Sequence, residues 1–364
     1  MGRVGKVTTR YRVVVVGSGK RGVHHAAAFA ANPRFELAGL ADSDQARLDA
    51  AAAKFGSVKS GTDTQKLAQD VKPDVFCFCT PPSVRLPLIE LGIKSGAKLI
   101  AFEKPVAMTS DEGIAIKRAL DASGVKAVVS HQHRYGDHYK KVKSIIASGA
   151  IGKVHTVYGT ATGWAAHMLS HLVDYTSWFN DYEPAEWVMG QAAGRGKLSD
   201  PTSHASPDYI AGVAHFRNGV RGIYDCGAGA PDVSEVPYWW RKCRIGALGS
   251  EGYAEVHTGS GWRAVTKDGV QAGPGGMDYE HDMAPYVQEM ADWLDDESKP
   301  HPLRFARAYQ GFEIVSGLYR SVIEGGQIAL PLTSGMDELG GLKTKVPDRK
   351  VLMTLAESAK EYKD

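Results

Sequence analysis

Near its amino terminus the chain passes from an apolar run at residues 12–16 directly into Gly17-Ser-Gly-Lys-Arg-Gly22, and then into an alanine-rich stretch at residues 21–32. A run of four valines is a buried strand, and the alanine-rich stretch that follows favours a helix. Three glycines set between a strand and a helix leave a tight turn whose backbone is bare of side chains. Residues 35–41 supply a second apolar strand, so the opening of the chain is a βαβ unit. Parallel strands joined by a crossover helix need cover on both faces, which commits this part of the chain to a layered α/β fold.

The alternation continues. Helical patterns fall at 44–55, 64–70, 85–95 and 110–123, and strand patterns at 75–79, 98–102 and 126–130. After about Gly124 the texture changes: a helix at 139–148 is followed by strand-like runs at 154–160, 187–193, 209–216, 220–226, 241–247 and 252–257, joined by short polar turns. Such runs predict a mainly antiparallel sheet. Two helical patterns, 283–294 and 305–324, close the fold, and 333–364 is charged and weakly patterned, a peripheral arm. At 364 residues the chain exceeds a comfortable single core. The expected organisation is therefore α/β throughout: a doubly wound parallel sheet over 1–130, an α/β domain with a mainly antiparallel open sheet over 131–332, and an arm over 333–364.

Composition removes several classes of partner. Lys and Arg total 43 against 41 Asp and Glu, which gives no electrostatic footprint for nucleic acid or an anionic membrane. The apolar run at 13–16 is far shorter than a signal-peptide core or a membrane span, so the expected location is cytoplasmic. Cys77 and Cys79 alternate within a strand-like segment and face one way; buried reduced thiols are expected there rather than a disulfide or a metal site.

The glycine-rich turn sits where a dinucleotide fingerprint has to sit. Gly17 makes the turn, Gly19 lets backbone N–H groups of Ser18, Lys20 and Arg21 approach a pyrophosphate, and Gly22 permits close helix packing. Asp42 ends the second strand 20 residues after Gly22, where a carboxylate accepts hydrogen bonds from the adenosine ribose hydroxyls and repels a 2′-phosphate. NAD is favoured on this ground, while Lys20, Arg21 and Ser43 keep NADP open.

From here the sequence resembles the Gfo/Idh/MocA family of sugar and polyol dehydrogenases, over roughly residues 13–332. The resemblance rests on Glu103-Lys104-Pro105 preceded by Thr80-Pro81-Pro82, on Ser148-Gly-Ala-Ile-Gly-Lys-Val154, on Ile245-Gly-Ala-Leu-Gly-Ser-Glu-Gly252 and on Gly326-Gln-Ile-Ala-Leu-Pro331. It implies an amino-terminal Rossmann domain, a carboxy-terminal α/β domain and a substrate pocket between them. It implies also that Lys104 reaches the reacting hydroxyl, that Glu103 and Pro105 shape the turn beside the nicotinamide, and that Thr80, Pro81, Pro82 and Arg85 line the cofactor. Arg85 stands where the family commonly has His. His131, His133, Arg134 and His138 fall where substrate contacts are often placed; of these His133 and Arg134 are taken as substrate residues.

Family members usually carry Asp-x-Gly-x-His-x-x-Asp at the start of a helix, and the matching stretch here is His167-Met-Leu-Ser-His171-Leu-Val-Asp174. Positions 167, 171, 174, 175 and 178 share one helical face. His171 is the expected general base, since an imidazole of ordinary pKa ~6.5 suits removal of a hydroxyl proton. His167 replaces the usual Asp and is expected to tune that transfer. Met168 stands where a zinc HExxH motif needs Glu, so no metal is expected. Trp164, Trp239 and Trp240 offer flat apolar surfaces to a sugar face or an aglycone. The expected activity is hydride transfer between nicotinamide and a secondary hydroxyl carbon of a sugar, glycoside or polyol, in a homo-oligomer. Two alternatives stay open: a glycoside-processing enzyme that oxidises its substrate transiently with retained NAD, and a non-catalytic sugar or nucleotide sensor.

Overall fold

The computed structural model describes residues 9–199, 204–231, 233, 236 and 241–348. They form two compact units that interleave along the chain. One runs to Glu103 and adds Ile116–Gln132 and Tyr279–Phe305; the other holds Lys104–Ala115 and His133–Asp278 and resumes at Ala306.

The first unit is built on β1 Tyr11–Val16, α1 Lys20–Ala31, β2 Phe35–Ala41, α2 Gln45–Phe55, β3 Lys59–Gly61, α3 Thr64–Val71, β4 Val75–Phe78, α4 Arg85–Lys94, β5 Leu99–Glu103, the second half of α5 Ser110–Ser123, and β6 Lys126–Ser130. Its six strands lie in the order β3-β2-β1-β4-β5-β6, all parallel. This is the Rossmann order, with its reversal between β1 and β4. Val13, Val14, Val15 and Val16 are at most 4% exposed, the burial on both faces that a parallel strand under two helical layers must have.

The second unit contains α6 Asp137–Ala147, β7 Val154–Ala161, α7 Ala165–Phe179, β8 Ala185–Ala193, β9 Tyr209–Phe216, β10 Arg221–Gly227, β11 Cys243–Gly249, β12 Gly252–His257, β13 Gly261–Thr266 and β14 Gly269–Gly273. Helix α8, Tyr279–Asp295, returns the chain to the first unit. Then α9 Phe305–Glu324, β15 Ile328–Ala329 and α10 Glu338–Lys345 complete the second. Its nine-stranded sheet runs β14-β13-β12-β11-β7-β10-β9-β8-β15 and is antiparallel except for β7 with β10. Helix α7 lies on β7, β10 and β11. Leu169, Leu172, Val173, Thr176 and Phe179 form its buried stripe, and the Thr176 hydroxyl meets the Tyr224 hydroxyl of β10 at 3.2 Å. No helix among the described residues is long and apolar enough to cross a membrane.

Two differences from the sequence reading stand out. Helix α8, expected with the second domain, packs on α1 in the first unit. Met283, Tyr286, Val287, Met290 and Ala291 repeat at helical spacing and are all buried. Around them Tyr11 donates to Asp295 at 2.6 Å, Asn32 to Gln288 at 3.0 Å and Arg34 to Asp295 at 2.8 Å. Periodicity reveals an amphipathic helix but does not say which surface it covers.

The second difference lies in the expected arm. Residues 338–345 are helical, held by a buried network in which Glu338 accepts from the Ser110 backbone N–H at 2.7 Å and from Arg320 Nε at 2.9 Å. Arg320 also donates to Ser110 Oγ at 2.6 Å and to the Ser334 carbonyl. Leu342 and Val346 are fully buried beside it, and the rest of the expected arm, 349–364, lies outside the described residues. Removing one partner of a buried ion pair strands the other charge, so Glu338→Ala should cost about 3–5 kcal/mol in urea unfolding, and Glu338→Gln less. A loss under about 1 kcal/mol for Glu338→Ala would mean that the network is not what holds α10 in place.

Candidate functional site

In the first unit the glycine-rich turn is closed around β4. Gly17 has φ +89°, and a Cβ there would lie 2.5 Å from the Cys79 carbonyl oxygen. A Cβ on Gly22 would overlap the Gly17 carbonyl, whereas one on Gly19 would meet nothing within 4 Å. The first and third glycines are thus required by packing, and the second faces open space. Gly19 is the N-cap of α1, with no side-chain cap and no acidic residue in the first turn. A helix end of this kind favours an anion.

Asp42 follows β2 and is only 7% exposed. Its Oδ2 accepts the Ser18 N–H at 2.6 Å and its Oδ1 the Asp44 N–H at 2.9 Å. A carboxylate has about four acceptor positions, so two remain for ribose hydroxyls. Ser18 Oγ and Thr80 Oγ1 are buried hydroxyls without a hydrogen-bond partner among the described residues. Buried hydroxyls are normally satisfied, and two around an open glycine fit the polar edge of a dinucleotide. Lys20, Ser43 and Pro81 are exposed and Pro82 is buried.

Other residues expected at the cofactor are engaged within the unit. Arg21 donates to the Tyr279 hydroxyl at 2.9 Å, with its guanidinium 4.1 Å from that ring's centre. Arg85 is 1% exposed, with its guanidinium 5.7 Å from the centre of the Phe102 ring. Glu103, at the end of β5, meets His25 Nε2 at 3.0 Å. Burial works against a charge on His25, yet Cys79 and the Glu103 carboxylate outweigh it and raise its pKa to about 10.

In the second unit Lys104, joined to Pro105 by a cis bond, donates its ammonium to the His167 carbonyl at 3.0 Å. That carbonyl belongs to the first turn of α7, whose N-cap is Trp164. His171 stands one turn further on, on the face opposite the Leu169–Leu172–Val173 stripe, and its Nδ1 lies 3.3 Å from the Tyr175 hydroxyl. The His133 ring centre is 6.0 Å from that of His171, and Trp164 is 5.7 Å from His167. Lys104, His133, Trp164, His167 and His171 therefore converge on the amino-terminal half of α7.

Arg134 lies apart from them: it donates to the Tyr182 hydroxyl at 2.6 Å and its guanidinium sits 4.2 Å from the centre of the Trp178 ring. Trp239 and Trp240 lie outside the described residues. Two residues that the sequence reading did not single out join the group. His204 stacks on His167 with centroids 4.4 Å apart and planes 13° apart, and the Lys197 ammonium lies 3.5 Å from the Trp164 ring centre. Both come from irregular or short 3₁₀ segments, where no periodic pattern marks a position.

Residues 11–131 match the family model GFO_IDH_MocA, described as an oxidoreductase family with an NAD-binding Rossmann fold. The chain is 26% identical over 185 residues to inositol 2-dehydrogenase of Rhizobium meliloti (strain 1021), a match that spans 50% of this chain and 55% of that one. It is 21% identical to D-glucoside 3-dehydrogenase of Escherichia coli (strain K12), over 57% of this chain and 67% of the relative. The fold is shared with levoglucosan dehydrogenase solved with NADH and levoglucosan: TM-score 0.75, 17% identity, 89% of this chain and 100% of the other.

The site's electrostatics make a direct test of nucleotide choice. Losing a hydrogen bond to a charged group costs about 1.5–3 kcal/mol, so Asp42→Ala should weaken NAD binding by roughly 10- to 100-fold and narrow the margin over NADP in calorimetric titration. Tighter binding of NADP than of NAD by the unaltered protein would remove Asp42 from the ribose.

Proposed function

We propose that this chain, which over residues 11–131 belongs to the Gfo/Idh/MocA oxidoreductase family, is an NAD-dependent dehydrogenase acting on a secondary hydroxyl of a sugar, glycoside or polyol. The observation that carries the reading is the seating of the Lys104 ammonium on the His167 carbonyl, at the foot of the helix that presents His171. The relatives' names, an inositol and a glucoside dehydrogenase, support a polyhydroxylated substrate.

A bound nicotinamide dinucleotide supplies the hydride acceptor and donor. The chain's own residues handle the oxygen and its proton. The Lys104 ammonium is seated on a carbonyl, which orients it toward the reacting hydroxyl, where it stabilises alkoxide character as hydride leaves. His171, steadied by Tyr175, takes the hydroxyl proton. His167 gives its backbone oxygen to Lys104 and its ring to His204, so its side chain tunes the group instead of transferring the proton. Trp164, with Lys197 over its ring, offers a flat aromatic surface beside His167 that suits a pyranose. Asp42 selects NAD over NADP, and the near balance of 43 basic and 41 acidic residues supports a small-molecule rather than a polyanionic partner. We read the enzyme further as a cytoplasmic homo-oligomer, which sedimentation analysis and localisation test.

A screen of NAD reduction over free sugars, inositols and glycosides, with products read by NMR, tests the activity; no turnover of any of them alongside intact NAD binding would favour a sensor. Within it, Lys104→Ala and His171→Ala should each lower kcat by about 100-fold or more while NAD affinity stays within a few-fold. Near-normal kcat in either folded variant would take that residue out of the mechanism.

A further inference from the structure

His25 of α1 and Cys77 and Cys79, at and just beyond the end of β4, have no part in the hydride transfer proposed above. Their donor atoms nonetheless lie within 4.8 Å of one another, and they are the one set of this kind among the described residues. His25 is 1% exposed and Cys77 fully buried, while Cys79 is half-buried. His25 Nδ1 lies 3.6 Å from Cys77 Sγ. Bonds of about 2.3 Å to sulfur and about 2.05 Å to imidazole nitrogen, opened to a tetrahedral angle, place those two donors roughly 3.6 Å apart. The other ring nitrogen, Nε2, is already held by the Glu103 carboxylate at 3.0 Å. A metal-bound histidine almost always shows that second contact, which fixes the ring and its tautomer.

We propose that His25, Cys77 and Cys79 bind a single Zn²⁺ ion, with Glu103 as the outer carboxylate that orients His25. Two thiolates and an imidazole are a zinc donor set, and water takes the fourth position. Cys79 is the side from which the ion enters. Binding is a proton exchange with no redox step: Zn²⁺ displaces the protons on the two sulfurs and on Nδ1 to solvent, while the proton on Nε2 stays on the ring and is donated to the Glu103 carboxylate. The ion would tie α1 to the end of β4 directly behind the Gly17–Gly22 turn, where Cys79 already supplies the carbonyl that crowds Gly17.

The full-length protein, stripped with a chelator and checked for fold by circular dichroism, would be titrated with Zn²⁺ and separately with Co²⁺ as a spectroscopic substitute. The expected result is one equivalent bound, a thiolate-to-cobalt charge-transfer band, a raised Tm and protection of Cys79 from a thiol reagent. Cys79→Ser and Cys77→Ser should each weaken binding at least 10-fold, and Cys226→Ser should not. A folded unaltered protein that stays metal-free in excess Zn²⁺, or a cobalt spectrum without the thiolate band, overturns the proposal. So does undiminished binding in the folded Cys77→Ser/Cys79→Ser double variant.

Discussion

The arrangement depends first on a steric constraint. The Gly17 backbone passes so close to the Cys79 carbonyl, and Gly22 so close to the Gly17 carbonyl, that neither position has room for a Cβ. Only because those atoms are missing can β1, α1 and the end of β4 share one small volume. Ser18 and Thr80 are drawn into the same volume, and the Ser18 N–H brings Asp42 with it from β2. Backbone from β1, β2 and β4 is thus set by two absent side chains, and the openness at Gly19 is what remains when the other approaches are full.

The second unit solves a different problem on one helix. Helix α7 must bury an apolar stripe against β7, β10 and β11 while keeping polar groups on its other side, and the 3.6-residue repeat separates the two sets cleanly. The first-turn carbonyl that faces Lys104 is His167's own, so backbone geometry helps to place the ammonium. A backbone oxygen is present whatever the side chain at this position, so the lysine's seat does not depend on the His167 ring.

Much of this was legible in the sequence. Residues 35–41, 110–123, 126–130, 209–216, 252–257 and 305–324 form the elements that their patterns predict, because each carries a periodic apolar face bounded by turn residues. The misses share a cause. Helix α10 contains Gly340 and Gly341 and only one buried leucine, so its local preference is poor and it is held by tertiary contacts, Ser110 and Arg320 on Glu338 and the burial of Leu342 and Val346. Strand β14 is largely exposed and β15 is two residues long, too little for alternation to register. At the candidate site, the fingerprint glycines and Asp42 could be read from spacing, and Lys104 and His171 from the family resemblance. Lys197 and His204 could not, since tertiary stacking rather than a local repeat brings them to Trp164 and His167. Arg134 is expected as a substrate contact on the family resemblance, and in the structure its guanidinium meets Trp178 and Tyr182, which are distant in sequence.

The placement of α8 has a consequence for synthesis of the chain. The parallel sheet is complete in sequence by Ser130, but the partners that α8 supplies to α1 and Tyr11 come only from residues 279–305. A ribosome would therefore release the whole antiparallel sheet except β15 before the nucleotide-binding unit could close over its first helix. Such a long loop makes closure entropically slow, and the alanine-rich face of α1 stays open to chaperones or to other nascent chains during that interval. A fragment ended at Ser130 would carry every strand of the parallel sheet and still lack part of its own core.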